Sequence, residues 1–99
     1  MSSLGAPEIA GALVAGGFVT CTAHEVALLR TTTSPMRITD DVLAHAPRSA
    51  IADATLRRGH LVSRLTVTFA EGRAWEFDVP TAFAKGAERL AATLRRRST

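Results

Sequence analysis

The chain has 99 residues, which is the size of one domain, and we expect a single domain over 1–99. Its 46% hydrophobic and 21% charged residues exclude a disordered, collagen-like, coiled-coil or disulfide-rich protein. Alanine supplies 18 of the apolar residues and only five residues are aromatic, so the core is expected to be thin.

The net charge of +3 equals the charge of the three consecutive arginines Arg95, Arg96 and Arg97. The basic character therefore belongs to the C-terminal tail and not to the rest of the chain. Nucleic-acid binding requires a clustered cationic face, with interleaved aromatic residues where single strands are stacked. The sequence lacks this pattern, and nucleic acid is not expected as a partner.

Features that report on location all favour the cytoplasm. The lone Cys21 cannot form an internal disulfide, which fits a reducing compartment. Residues 9–19 are apolar, but Glu8 precedes them in place of a basic residue and glycine and alanine dominate, unlike a signal peptide. No stretch reaches the roughly 18–20 apolar residues that span a bilayer.

The first predicted hairpin consists of residues 17–22 and 26–32, which are rich in β-branched side chains. The polar run 31–35 is interpreted as a breaker. Asp40 and Asp41 then predict a turn.

The middle of the chain leaves two readings open. Residues 42–46 and 51–56 can be short strands on either side of a turn, or of one helical turn, at 47–49. The alanines across 40–56 support a helix equally well.

A second hairpin is predicted from two alternating runs. The apolar face of the first run carries Leu61, Leu65, Val67 and Phe69, interrupted by Ser63, and that of the second carries Trp75, Phe77 and Val79. Residues directly opposed in an antiparallel hairpin share a face. A two-residue turn would oppose Val67 to Glu76, whereas a loop of residues 70–72 opposes Val67 to Trp75 and puts Gly72 at the left-handed position. We therefore predict the three-residue loop, with Trp75 and Phe77 at the centre of the core.

The C-terminal segment has the pattern of an amphipathic helix over about 81–96. Pro80 ends the preceding strand and Thr81 is a candidate N-cap. One apolar stripe recurs at helical spacing: Phe83, Ala87, Leu90, Ala91 and Leu94.

This order of elements resembles the pleckstrin-homology-like (PH-like) superfold, and specifically the small bacterial PH-like and GRAM-like domains of unassigned function. The resemblance covers residues 16–96 and leaves residues 1–8 as a loose lead. Four features carry it: the hairpin of Phe18-Val19-Thr20-Cys21-Thr22 with Val26-Ala27-Leu28-Leu29, the segment Pro47-Arg48-Ser49-Ala50-Ile51, the run Leu65-Thr66-Val67-Thr68-Phe69-Ala70-Glu71-Gly72, and the closing helix.

The resemblance implies a mainly β fold. Six or seven strands would form two antiparallel, near-orthogonal sheets curled into a barrel, and the helix would plug one open end with Phe83, Leu90 and Leu94. Phosphoinositide-binding members carry several basic residues in the first loop, where this chain has only His24, followed by Glu25. Lipid-headgroup binding is therefore not carried over.

No residue pattern predicts catalysis, a cofactor or a metal site. Cys21 and His24 lie three residues apart, which a strand places on opposite faces, so Cys21 is interpreted as a buried structural thiol. His24, His45 and His60 have no metal-ligand spacing. Glycine-rich phosphate loops and nucleophile elbows are absent from the sequence.

One cluster is a candidate site for an anion or a partner: Arg57, Arg58, His60 and Arg64, around the turn at 58–60. Arginine forks match carboxylates and phosphates. The same residues can instead form a charged edge that deters strand-to-strand aggregation.

The sequence favours a noncatalytic binding or assembly module, whose partner is another protein or a second copy, most simply in a symmetric dimer. A first alternative is attachment to an anionic membrane through Arg95, Arg96, Arg97 and the helix. A second is a small ligand-binding domain or enzyme that uses Arg57, Arg58 and His60. This second alternative predicts an apolar pocket beside Arg57 or His60.

Overall fold

A computed structural model describes residues 8–96. Within that range the chain forms seven strands, two short 3-10 turns and one α-helix. In chain order these are β1 Ala10–Val14, β2 Gly17–Cys21, β3 Glu25–Thr33, β4 Met36–Pro47, a 3-10 turn Arg48–Ala50, β5 Ile51–Arg57, β6 Val62–Phe69, β7 Ala74–Pro80, a 3-10 turn Thr81–Phe83 and α1 Ala84–Arg95. The predicted lead, residues 1–8, lies outside the described residues except for Glu8.

The strands form two antiparallel sheets, one of four strands in the order β1-β2-β3-β4 and one of three in the order β5-β6-β7. Each strand pairs only with its neighbours along the chain. The fold is thus mainly β with a C-terminal helix, as predicted. The open question over 40–56 is resolved in favour of strands, because β4 and β5 occupy this stretch on either side of a 3-10 turn.

The turn predicted at Asp40 and Asp41 was wrong, because both residues lie inside β4. The pairing of β3 with β4 is irregular there, since Leu29 is opposite Val42 whereas Thr31 is opposite Ile38. Thr39 holds this bulge together: its hydroxyl donates to the Arg30 carbonyl (2.9 Å) and accepts from the Asp41 amide (3.2 Å). A polar pair that signals a turn can therefore equally occupy a bulge.

The β6–β7 hairpin has the predicted register, with Val67 opposite Trp75 and Leu65 opposite Phe77. Gly72 adopts a φ of 106°, and its amide donates to the Phe69 carbonyl over 2.9 Å. The three-residue loop of 70–72 is thereby confirmed.

The apolar face assigned to β6 was wrong at one position. Leu61 lies before the strand begins at Val62 and is 84% exposed, whereas Ser63 is buried within the apolar face as predicted.

The core lies between the two sheets and α1. Its largest fully buried apolar side chains come from β2, β3, β6, β7 and α1: Val19, Val26, Leu65, Val67, Val79 and Leu90. Trp75 and Phe77 pack against this core but are only half-buried, so their predicted place at its centre was wrong. The Trp75 ring meets Phe69 and Phe77 edge-on, with centroid distances of 5.0 and 6.2 Å.

Helix α1 packs against β1 and β5 and buries Ala84, Ala87, Leu90, Ala91 and Leu94. The predicted contribution of Phe83 to the plug was wrong, because Phe83 is 41% exposed. The chain enters the helix through a 3-10 turn, so Ala84 takes the inward position instead. Thr81 does not cap α1, since its hydroxyl donates to the His60 carbonyl over 3.1 Å.

Helix α1 packs closely on the backbone of β1, a strand that the sequence interpretation did not assign. A Cβ added to Gly86 would lie 3.4 Å from the Gly11 carbonyl oxygen and 4.0 Å from the Ala12 Cα. These distances are ordinary contacts or slightly tighter, so the helix lies almost directly on the strand backbone.

Candidate functional site

The predicted cluster of Arg57, Arg58, His60 and Arg64 is divided between two surfaces. Arg58 points to α1 and binds Glu88 (3.0 Å), whereas Arg64 binds two β7 carboxylates, Glu76 (2.7 Å) and Asp78 (3.1 Å).

Arg57 and Arg64 do lie together, since they are opposed in the β5–β6 register. The hydrogen bond that Arg64 donates to Glu76, followed by the charge of Asp78, raises the pKa of Arg64. The depression beside the two arginines is lined otherwise by Thr55, Thr66 and Glu76, and is thus polar. The ligand-binding or enzyme alternative predicts an apolar pocket beside Arg57, whereas the observed lining there is polar.

The C-terminal arginines also have different environments. Arg95 folds back onto β5, where its Nη1 donates to the Ala54 carbonyl over 3.0 Å. The backbone of Arg96 accepts a hydrogen bond from Arg48, and Arg97 lies outside the described residues. Arg95 is therefore already engaged within the domain.

Cys21 and His24 do not form a reactive pair. Cys21 is fully buried, and burial raises the pKa of its thiol, which keeps it protonated. His24 is exposed in the β2–β3 turn, where the Thr22 hydroxyl accepts hydrogen bonds from the amides of His24 (3.1 Å) and Glu25 (3.2 Å). Residues 8–96 contain no group of three or more His, Cys, Asp or Glu placed to hold a metal ion.

An apolar groove lies between the inner faces of the two sheets, beside β7. Its volume is about 210 Å³. The first sheet contributes Leu28 and Ala44, and the second contributes Trp75 and Phe77, with Glu76 at the rim. These four apolar residues are all half-exposed. Sequence alternation assigned Trp75 and Phe77 to the inner face but could not show that this part of the interior opens to solvent.

Strand β7 is at the edge of its sheet, and within residues 8–96 no strand pairs with its outer side. The β1–β2 turn reaches one point of this edge, where the Ala15 amide donates to the Asp78 carbonyl over 2.7 Å. The groove residues Trp75 and Phe77 lie on the other side of that contact along the strand. An open strand edge and an apolar groove are thus adjacent.

A second concave site surrounds Arg48, which sequence reasoning quoted only as part of a segment. Its Nη2 donates to the carbonyls of Thr93 (2.7 Å) and Arg96 (3.0 Å), and its Nη1 donates to the Thr22 carbonyl (3.3 Å). The guanidinium thereby joins the C-terminal end of α1 to the β2–β3 turn. No local pattern could reveal this, because the partners are 26–48 residues away in sequence.

Comparison with protein-family models, with curated proteins and with solved structures found no match to this chain. Within the described residues, the chain has no helix with the length and apolar character needed to cross a membrane. The geometry of the domain is therefore the basis for assigning a function.

Proposed function

We propose that the protein is a noncatalytic binding module of PH-like fold that captures an extended segment of a protein partner along β7. A meander of four strands, a meander of three strands and a closing helix, in this order, support the PH-like assignment. In such a fold the two sheets would curl into a barrel around the common core.

The observation that carries the proposal is the edge of β7, which no other strand of the described residues pairs with, next to half-exposed Trp75 and Phe77. Aromatic rings in a groove are common anchoring points for ligands and partners. The two rings leave apolar surface uncovered, as does Leu28 across the groove, whereas Leu65, Val67 and Val79 of the same sheet are fully buried. Covering this surface is a favourable contribution to binding.

An added strand suits both features at once. Its backbone would pair with the open edge of β7, and every second side chain would enter the groove between Leu28 and the two rings. The intervening side chains would face Glu76 and Asp78, whose charges are already matched by Arg64. We therefore expect a partner segment with apolar residues at alternate positions and no strong requirement for charge.

Tryptophan fluorescence tests the proposal directly, because Trp75 is the single tryptophan of the chain. Short peptides selected from a displayed library should change the Trp75 emission on binding, and should do so saturably. Ala44→Glu places a carboxylate in the groove and should reduce affinity by at least about tenfold. The matched control is Ala52→Glu, an exposed alanine on β5 outside the groove.

Equal peptide affinity in both variants would overturn the proposal, provided that circular dichroism shows both to be folded. Light scattering of the protein alone shows whether the added strand comes from a second copy of this chain or from a different protein. A dimer that Ala44→Glu converts to a monomer would identify the added strand as part of a second copy. A dimer insensitive to Ala44→Glu would place self-association elsewhere and count against the groove as the assembly surface.

A further inference from the structure

The depression around Arg48 has the features of a second binding site, independent of the β7 groove. It has a volume of about 450 Å³ and forms where the β2–β3 turn, the Arg48–Ala50 turn and the end of α1 meet. This volume is within the roughly 300–1,000 Å³ typical of small-ligand sites. Its polar lining includes His24, Arg48, Ser49 and Arg96, and its apolar lining includes Ile51 and Leu94.

Arg48 is held in place before any ligand arrives. Its three hydrogen bonds to carbonyl oxygens come from Nη1 and Nη2. A guanidinium has five N–H groups, and within residues 8–96 the Nε–H and the second Nη1–H have no hydrogen-bond partner. A fixed side chain with free donors loses little conformational entropy on binding, which favours affinity.

The charge of the lining favours an oxyanion. Arg48 and Arg96 both contribute to it, His24 and Ser49 add further donors, and none of the described lining residues is an aspartate or glutamate. Arginine N–H groups donate charge-assisted hydrogen bonds to carboxylates, and these are stronger than neutral hydrogen bonds.

The apolar part of the lining narrows the ligand class. Ile51 and Leu94 are core residues whose outer surface borders the depression, being 7% and 6% exposed. We propose that this depression binds a carboxylate that carries an apolar group, as in the C-terminus of a peptide or a small apolar acid. The carboxylate would meet Arg48 and Arg96, and the apolar group would cover Ile51 and Leu94.

The test is a titration with N-acetylleucine followed by amide chemical shifts of the isotope-labelled protein. Shifts should concentrate at His24, Ser49 and Arg96. N-acetylleucine amide, which lacks the carboxylate, should bind at least about tenfold more weakly, because charge-assisted hydrogen bonds are lost. Acetate should also bind about tenfold more weakly, because it lacks the apolar group. Acetyl-Ala-Ala-Leu distinguishes the two sources: tighter binding than N-acetylleucine indicates a peptide C-terminus, and weaker binding indicates a small acid.

Arg96→Gln is the informative variant, since only the backbone of Arg96 takes part in the contacts with Arg48. It should weaken N-acetylleucine binding by about tenfold. Arg37→Gln removes the same charge from the exposed β3–β4 hairpin and should leave binding unchanged. Equal binding of the acid and its amide, equal effects of the two variants, or no shifts at millimolar ligand would each overturn the proposal.

Discussion

The space between the two sheets has two unlike margins. At the closed margin, α1 covers β1 and β5, and Ala87 and Leu90 are completely shielded from solvent. At the open margin, Leu28, Trp75 and Phe77 contact the core but keep part of their surface exposed. We therefore expect the closed margin to contribute most of the stability, and the open margin is the surface that the proposed function would use.

The largest expected effect contrasts one leucine from each margin. Leu90→Ala should lower the free energy of unfolding by about 3 kcal/mol, because it removes a fully buried side chain and leaves a cavity. Leu28→Ala should cost about 1 kcal/mol, since the half-exposed side chain has less burial to lose. Urea denaturation measures both. Equal losses would show that the open margin is as well packed as the closed one.

Arg48 donates hydrogen bonds to the C-terminal end of α1 at the closed margin. Its removal should have the next largest effect on the free energy of unfolding. Arg48→Ala leaves the Thr22, Thr93 and Arg96 carbonyls without their charged donor, so unfolding should become easier by about 2 kcal/mol. Arg37→Ala is the control, because Arg37 is exposed in the β3–β4 hairpin. Thermal melts compare the two, and a similar Tm would mean that water replaces the three bonds.

The smallest expected effect is on the pH dependence of stability, through Cys21. It tests whether water reaches the interior beside β1. Burial raises the pKa of its thiol above the ordinary value of 9.0, so the unfolded chain loses this proton more easily than the folded one. Above pH 9 the free energy of unfolding should therefore fall as pH rises, and below pH 9 the thiol should contribute no slope. Cys21→Ala should lack that part of the decline in parallel denaturation curves. Identical pH dependence would show that water reaches the thiol.

Sequence periodicity was sufficient where a hairpin is local and one of its faces is buried. In β6 and β7 the alternation fixed both faces, and the need to oppose Val67 to Trp75 fixed the loop length and the place of Gly72. The same alternation misplaced Leu61, since a period of two continues past the end of a strand without indicating where pairing stops.

Sequence periodicity predicted a strand less well where the packing around that strand determines its amino-acid composition. β1 was not assigned, because its alanines and glycine have little β preference. Ala12 lies beneath Gly86 of the helix, whereas Gly11 leaves room for the Phe18 ring. β4 is an edge strand whose side chains are all at least partly exposed, so it has no buried face to give a clean alternation. Phe83 was misplaced because a 3-10 turn shifts the start of the helical stripe by one residue.

Both candidate sites depend on contacts between distant segments. The groove combines β3 and β4 with β7, and the Arg48 depression combines two turns with the end of α1. The arginine cluster at 57–64 was the best local signal, yet Glu76, Asp78 and Glu88 engage two of its members from other strands and from the helix. Local sequence identifies available charges but not their partners.

The meander topology has a consequence for how the chain folds. Within each sheet, every strand pairs with a strand that is next to it in sequence. Each pairing therefore closes only a short loop and has a small cost in loop-closure entropy. The contacts of greatest sequence separation are those of α1 with β1 and those between the two sheets. We therefore expect docking of the terminal helix on β1 to carry the largest loop-closure entropy among the pairings of the described residues.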